Sequence, residues 1–265
     1  MTSWLWRWRQ ERILARKRIA QDLWQEVIAA QPLLARLSVP ARQRLHDLAT
    51  LLAAEKRFYG AAGFEVDARQ IATIAALGCL PVLELGLDWY RGWYSILVYP
   101  GGFRARHEYR DDSGLVHEQV SDLIGEAWDS GPLILSWEDI QDGAALDGYN
   151  VILHEFAHKL DMRNGTANGM PPLHRDMSRQ DWTRAFTAAW NKAQAAVAAG
   201  QEPVLDHYAL ESPGEFFAVA CEAFFELPER LNDGYPAVYE QLRRFFRQDP
   251  LEQSVPDQES TAGRK

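Results

Sequence analysis

Asn150-Val151-Ile152-Leu153-His154-Glu155-Phe156-Ala157-His158-Lys159-Leu160 is the stretch on which the reading of this chain turns. Val151, Ile152, Leu153, Phe156 and Ala157 surround its polar residues with apolar ones, the pattern of a helix that belongs in the core. Positions i and i+4 of a helix share a face, so His154 and His158 direct two imidazoles at one point, as a tetrahedral zinc site requires. Glu155 is displaced around the helix, where it reaches water at the metal rather than the metal itself, the place of a general base. The competing reading is two histidines satisfied by hydrogen bonds inside a packed helix. It leaves Glu155 as an unpaired carboxylate in an apolar run, which is costly. The stretch therefore predicts one zinc ion per chain on His154 and His158, with Glu155 catalytic.

A catalytic zinc takes three protein ligands and keeps a position open for water. No histidine follows between Met162 and Met170, so a carboxylate is needed. Glu211, Glu215 and Glu222 are the candidates, in the segment Tyr208 to Glu222. Ser212 predicts a helix cap, Pro213 a first helical position and Glu215 a place in the first turn. Ser212-x-x-Glu215 is equally the pattern of a capping box, in which the Glu only bonds the cap's backbone. Glu215 and Glu222 lie two turns apart on one face, so Glu215 on zinc with Glu222 behind a ligand histidine is one arrangement, and Glu222 on zinc is another. Asp161 either orients a ligand histidine or serves the end of the motif helix. His207 reads as a surface histidine or a substrate contact, and His46, His107, His117 and His174 receive no role.

Outward from the motif, apolar residues from Arg12 to Ala30 recur at helical intervals and predict one helix closed by Pro32. A second is expected after the cap Ser38, and a third over Val66 to Leu77, ending near Gly78. Phe58 to Gly63 reads as a break. Trp93 to Tyr99 and Leu133 to Trp137 read as strands, and Phe103 to Arg110 with Leu115 to Val120 as a hairpin around Asp111-Asp112-Ser113-Gly114. Later helices are expected around Arg179 to Ala199, Pro213 to Phe225 and Ala237 to Arg247. The fold class is thus α+β, mainly helical, with a small, mostly antiparallel sheet beside the motif helix. Its organisation reads as a helical region over 1–90, a catalytic core over 91–248 and a polar, poorly ordered tail over 249–265. The strand at Leu133 to Trp137 is a natural edge for an extended peptide to join.

Bulk properties exclude several classes. The 265 residues are 47% hydrophobic and 25% charged, an ordinary globular composition. A net charge of −9 opposes a broad grip on nucleic acid, which needs clustered Lys and Arg. No run of about 18 apolar residues spans a bilayer. The Trp4-Leu5-Trp6-Arg7-Trp8-Arg9 start passes into charge rather than into the apolar core of a signal peptide, and its tryptophans are expected to pack an N-terminal helix onto the body. The two cysteines, Cys79 and Cys221, sit far apart in apolar surroundings and read as reduced thiols of a cytoplasmic protein.

The chain resembles the Mlc titration factor A family of bacterial zinc peptidases. Three segments carry the resemblance: Gly131-Pro132-Leu133-Ile134-Leu135-Ser136-Trp137, Asn150 to Asp161, and Tyr208-Ala209 followed by Pro213-x-Glu215-Phe216-Phe217-Ala218-Val219. That family in turn resembles the catalytic domain of anthrax lethal factor, in which a Tyr seven residues before the ligand Glu helps stabilise the transition state. Tyr208 and Glu215 reproduce the spacing. The resemblance therefore implies a zincin-like fold, Glu215 as third ligand, Tyr208 as a catalytic residue, aminopeptidase-type activity on peptides, and binding to the Mlc repressor in the control of sugar uptake. Two other readings stand beside it: a sequestering protein for a transcription factor with a structural zinc site, and a hydrolase of non-peptide amides. A structural site has no use for Glu155, which weighs against the first.

Overall fold

The computed structural model describes residues 2–101, 131–142 and 145–253. The expected hairpin over 103–120, His107 and His117 fall outside them, as does the tail beyond 253.

The N-terminal region is helical: α1 (Thr2–Lys17), α2 (Gln21–Ala30), α3 (Pro32–Ala35) and α4 (Val39–Glu55). The single helix expected over Arg12 to Ala30 is in fact the end of α1 and all of α2, broken at residues 18–20. No Gly or Pro marks the break. Its cause is tertiary: Ile19 N–H donates to Thr50 Oγ1 at 3.2 Å, and His46 Nε2 lies 3.0 Å from Ile19 O, so two side chains of α4 take the backbone groups that a continuous helix would use. Of the tryptophans expected to pack α1 onto the body, half-buried Trp6 does so, with the Arg91 guanidinium over its ring, whereas two depart from expectation. Trp4 and Trp8 are 67% and 50% exposed, and α1 meets the body through Ile13 and Leu14. Ser38 caps α4 by accepting the Ala41 N–H at 3.3 Å.

Next come β1 (Arg57–Gly60), α5 (Ala68–Cys79), β2 (Ser95–Tyr99) and β3 (Leu133–Ser136). The sheet has the order β1-β2-β3, and both of its ladders are parallel, which corrects the antiparallel expectation. The reason lies in the connections: α5 carries the chain from the end of β1 back to the start of β2, and a crossover of that length makes neighbours parallel. β1 itself occupies residues read as a break, because its exposed strand shows no alternation of buried residues. In register, Ile96 pairs with Leu133 and Val98 with Leu135, and all four are buried on the core face.

α5 answers to the helix expected over Val66 to Leu77, and it ends at Cys79, next to Gly78, as expected. A Cβ on Gly78 would sit 2.4 Å from the Phe156 ring, so the bare glycine admits the motif helix at close range. The remaining elements are α6 (Trp137–Asp142), α7 (Val151–Asp161), α8 (Arg179–Ala198), α9 (Pro213–Glu226), α10 (Pro228–Gly234), α11 (Pro236–Phe246) and α12 (Pro250–Gln253). α12 overlaps the start of the stretch read as poorly ordered: Tyr239 Oη donates to Asp249 Oδ1 at 2.7 Å and accepts the Leu251 N–H at 3.2 Å. One buried cluster runs from Trp24 to Phe246 and includes residues of α2, α5, α7, α9 and α11. No described helix is long and apolar enough to cross a membrane.

Candidate metal centre

α7 lies between β3, α5 and α9, which explains its almost wholly buried length. Asn150 begins it as a side-chain cap, with Oδ1 accepting the Leu153 N–H at 3.1 Å. One turn on, His154 and His158 point to the same place: their Nε2 atoms are 3.1 Å apart. α9 supplies the third group. Ser212 Oγ accepts the Glu215 N–H at 3.2 Å, which sets the first turn. The Glu215 carboxylate, however, turns to the histidines, with Oε2 at 3.0 Å from His154 Nε2 and Oε1 at 3.4 Å from His158 Nε2. The choice between capping-box partner and cluster member thus falls to the cluster.

These distances fit a metal. Ligand atoms ~2.05 Å from a tetrahedral ion are about 3.3 Å from one another, and His154, His158 and Glu215 each offer one atom to a group spanning no more than 4.8 Å. The donor set also asks for a positive centre, since two imidazole nitrogens and a carboxylate present lone pairs to one small space. Burial opposes a charge on His154, yet Glu222, Glu215 and, least, Glu155 outweigh it and hold its pKa up at about 10. Burial likewise opposes the Glu215 anion, and hydrogen bonds to His154 and His158 still keep its carboxyl well below the usual range.

Glu222 lies behind the cluster, with Oε1 2.8 Å from His154 Nδ1; its other oxygen accepts the Asn150 N–H. A carboxylate on the far nitrogen fixes ring orientation and directs Nε2 inward. Asp161 is fully buried and accepts the Gly169 N–H at 2.7 Å, which ties down the loop that follows α7. Glu155 lines the cleft in front of the cluster. Tyr208 lies in the turn His207–Leu210, its ring 5.7 Å from that of His154. Burial, then the Glu215 carboxylate beside it, raise the phenol pKa, so the hydroxyl stays a donor. His207 is exposed at the cleft and 3.5 Å from Glu202. Glu211 is exposed and outside the cluster.

The cleft is a cavity of about 490 Å³ whose lining includes Leu133, Ile134 and Ser136 of β3 together with Val204, Val219 and Leu227. Asp139, Asp147, Glu202 and Asp206 add carboxylates to its lining. Among the described residues β3 pairs with β2 alone, and its residues Leu133, Ile134 and Ser136 line this space. Two shaping residues escaped the sequence reading. Lys159 is 8% exposed, and its Nζ donates to Gly131 O at 3.0 Å at the entry of β3; a lysine beside a buried histidine in an apolar run is the available signal. Glu226 is 1% exposed and four residues after Glu222, a carboxylate closing a phenylalanine run.

The model of the glucose-regulated metallo-peptidase M90 family matches residues 5–247. The chain is also 42% identical over 257 residues to proteins named Mlc titration factor A from Yersinia pestis (strain Pestoides F) and Yersinia pseudotuberculosis serotype O:1b, covering 95% of this chain and 92% of each relative.

Proposed function

The chain belongs to the glucose-regulated metallopeptidase M90 family, and from that premise we propose that it is a zinc-dependent peptidase of aminopeptidase type. His154, His158 and Glu215 hold the ion, Glu155 is the general base and Tyr208 the oxyanion donor. The observation that carries this reading is the convergence of the two imidazoles and one carboxylate within 4.8 Å at the wall of a cleft that Glu155 also lines.

Zinc held there lowers the pKa of water to about 7 and polarises a carbonyl. The chain's own residues do the rest. An extended peptide pairs with the edge of β3 that has no strand partner among the described residues and presents its scissile bond to the cluster. Glu155 takes the proton of the attacking water and passes it to the leaving amine. Tyr208, held protonated, donates to the oxygen on which charge develops. The cleft carboxylates Asp139, Asp147, Glu202 and Asp206 favour a substrate with a free α-ammonium, which supports the aminopeptidase type. On this reading residues 91–248 form the catalytic core, and the mainly helical 1–90 packs on it and adds β1 to its sheet. The name of the relatives, Mlc titration factor A, supports a further role, binding of Mlc; the two buried free cysteines suit a cytoplasmic setting.

The test is zinc content together with hydrolysis of a panel of chromogenic aminoacyl substrates, comparing wild type with Glu155→Gln. One zinc in both proteins and hydrolysis by the wild type alone is the expected result. Zinc in both with hydrolysis by neither favours the sequestering reading, and no zinc in the wild type overturns the metal assignment.

A further inference from the structure

Glu226 ends α9 among phenylalanines at 1% exposure, in surroundings where a carboxylate is costly, and the mechanism above gives it nothing to do. Both its oxygens are engaged at the start of α7. Oε1 accepts from Asn150 Nδ2 at 2.9 Å, and Oε2 accepts the Gly148 N–H at 3.1 Å. Asn150 is the junction of the arrangement. Its Oδ1 caps α7 through the Leu153 N–H, and its backbone N–H donates to Glu222, the carboxylate on His154 Nδ1.

The geometry extends along the whole seam. Glu215, Glu222 and Glu226 are spaced by seven and then four residues, close to two and three full turns from the first at 3.6 residues per turn, so they form one stripe on α9. Glu215 meets His154 and His158, Glu222 meets His154 and Asn150, and Glu226 meets Asn150 and Gly148. The two helices therefore run antiparallel, joined by carboxylates at successive levels. The lowest of these decides how Asn150 is turned. A side-chain amide has a donor end and an acceptor end, and the cap needs the acceptor toward Leu153. Ionised, as it is above about pH 7, the Glu226 carboxylate only accepts, so at Nδ2 it holds the amide in that sense, and a neutral glutamine, compared there, would set one N–H against another.

We propose that Glu226 is a positioning residue for the metal centre: through Asn150 it fixes the start of α7 and the carboxylate of Glu222, and thereby the pose in which His154 meets the ion. This rests on the zinc reading above.

The experiment uses the full chain stripped of metal, with zinc itself as the probe. Zinc dissociation constants from competition with a chromogenic chelator, kcat and KM, and thermal midpoints are measured for wild type, Glu226→Gln, Asn150→Asp and the double variant. Each single change mismatches the pair, donor against donor or acceptor against acceptor. The double change restores the match with direction reversed: the new amide donates to the new carboxylate while its oxygen still accepts from Gly148. Each single variant is expected to weaken zinc binding about 10-fold or more and to lower kcat with KM nearly unchanged, and the double variant to recover most of both. Singles that bind zinc as the wild type does overturn the proposal. So does a double variant that regains its thermal midpoint without regaining zinc affinity, since Glu226 then serves stability alone. A wild type that binds no zinc fails at the earlier step, the metal assignment, and takes this inference with it.

Discussion

The two faces of α9 are built on opposite terms. One presents Glu215, Glu222 and Glu226 to α7, each held by named nitrogens. The other presents Phe217 and Phe224, both fully buried, to an aromatic layer: Phe217 lies 6.0 Å from Trp182 and 6.4 Å from Phe245, and Phe224 lies 5.5 Å from Phe246 and 5.1 Å from Tyr239. Burial on the aromatic face stabilises in proportion to area and tolerates small shifts. The carboxylate face gains nothing from burial alone. Every oxygen there must find a donor, so the seam specifies positions rather than merely holding two helices together. The same helix thus separates the stability of the fold from the placement of its site.

The largest effect that sharpens this division is expected from Phe217→Ala. It should cost about 3–5 kcal/mol of unfolding free energy by denaturant titration, with zinc stoichiometry and kcat of the folded fraction unchanged; a loss of kcat without loss of stability would dissolve the distinction. Glu155→Gln should do the reverse, lowering kcat/KM roughly 10³-fold, ~4 kcal/mol, with the denaturation midpoint unmoved. Tyr208→Phe is next, at about 10²-fold in kcat with zinc affinity retained, as steady-state assays with chelator titration would read.

Gly169→Ala probes whether the aromatic layer also steadies the seam. Gly169 has φ of 76°, a Cβ on it would lie 2.4 Å from Pro213 O beside the cap of α9, and its carbonyl accepts from Trp182 Nε1 at 2.8 Å. A loss of about 1–3 kcal/mol is expected, together with weaker zinc binding because the Glu215 turn is displaced. The finest test is pH. Burial first, and the Glu222 charge in addition, push the Glu226 pKa up from 4.5 to about 7 against the hydrogen bonds of Asn150 and Gly148. Below pH 4.5 both folded and unfolded Glu226 carry a proton. Between 4.5 and 7 only the folded form keeps it, so stability from this group falls as pH rises and is lost above 7. Unfolding titrations of wild type and Glu226→Gln across that window should show the difference moving in favour of the variant as pH rises; a constant difference would mean that Glu226 is ionised throughout.

Sequence reading reached far where physics is local. Helix spacing places His154 and His158 on one face whatever surrounds them. The caps Ser38 and Ser212 act within three residues of their own positions. Strand direction was not legible, because Trp93 to Tyr99 and Leu133 to Trp137 look alike in either sense; the crossover through α5 decides it for β1 and β2. Nor was the break at residues 18–20, where side chains of α4 outbid the helix for Ile19.

The sequence by itself determined the chemistry on offer: two imidazoles one turn apart, a base beside them, a set of carboxylates in one later helix, and the cap that starts that later helix. Tertiary structure alone decided the assignment. Glu215 meets the Nε2 side of His154, Glu222 its Nδ1 side and Glu226 the cap beneath, because the antiparallel packing of α9 on α7 sets which turn of one faces which turn of the other. Residue spacing constrains positions along one helix, whereas the level at which two helices meet is set by what their other faces bury.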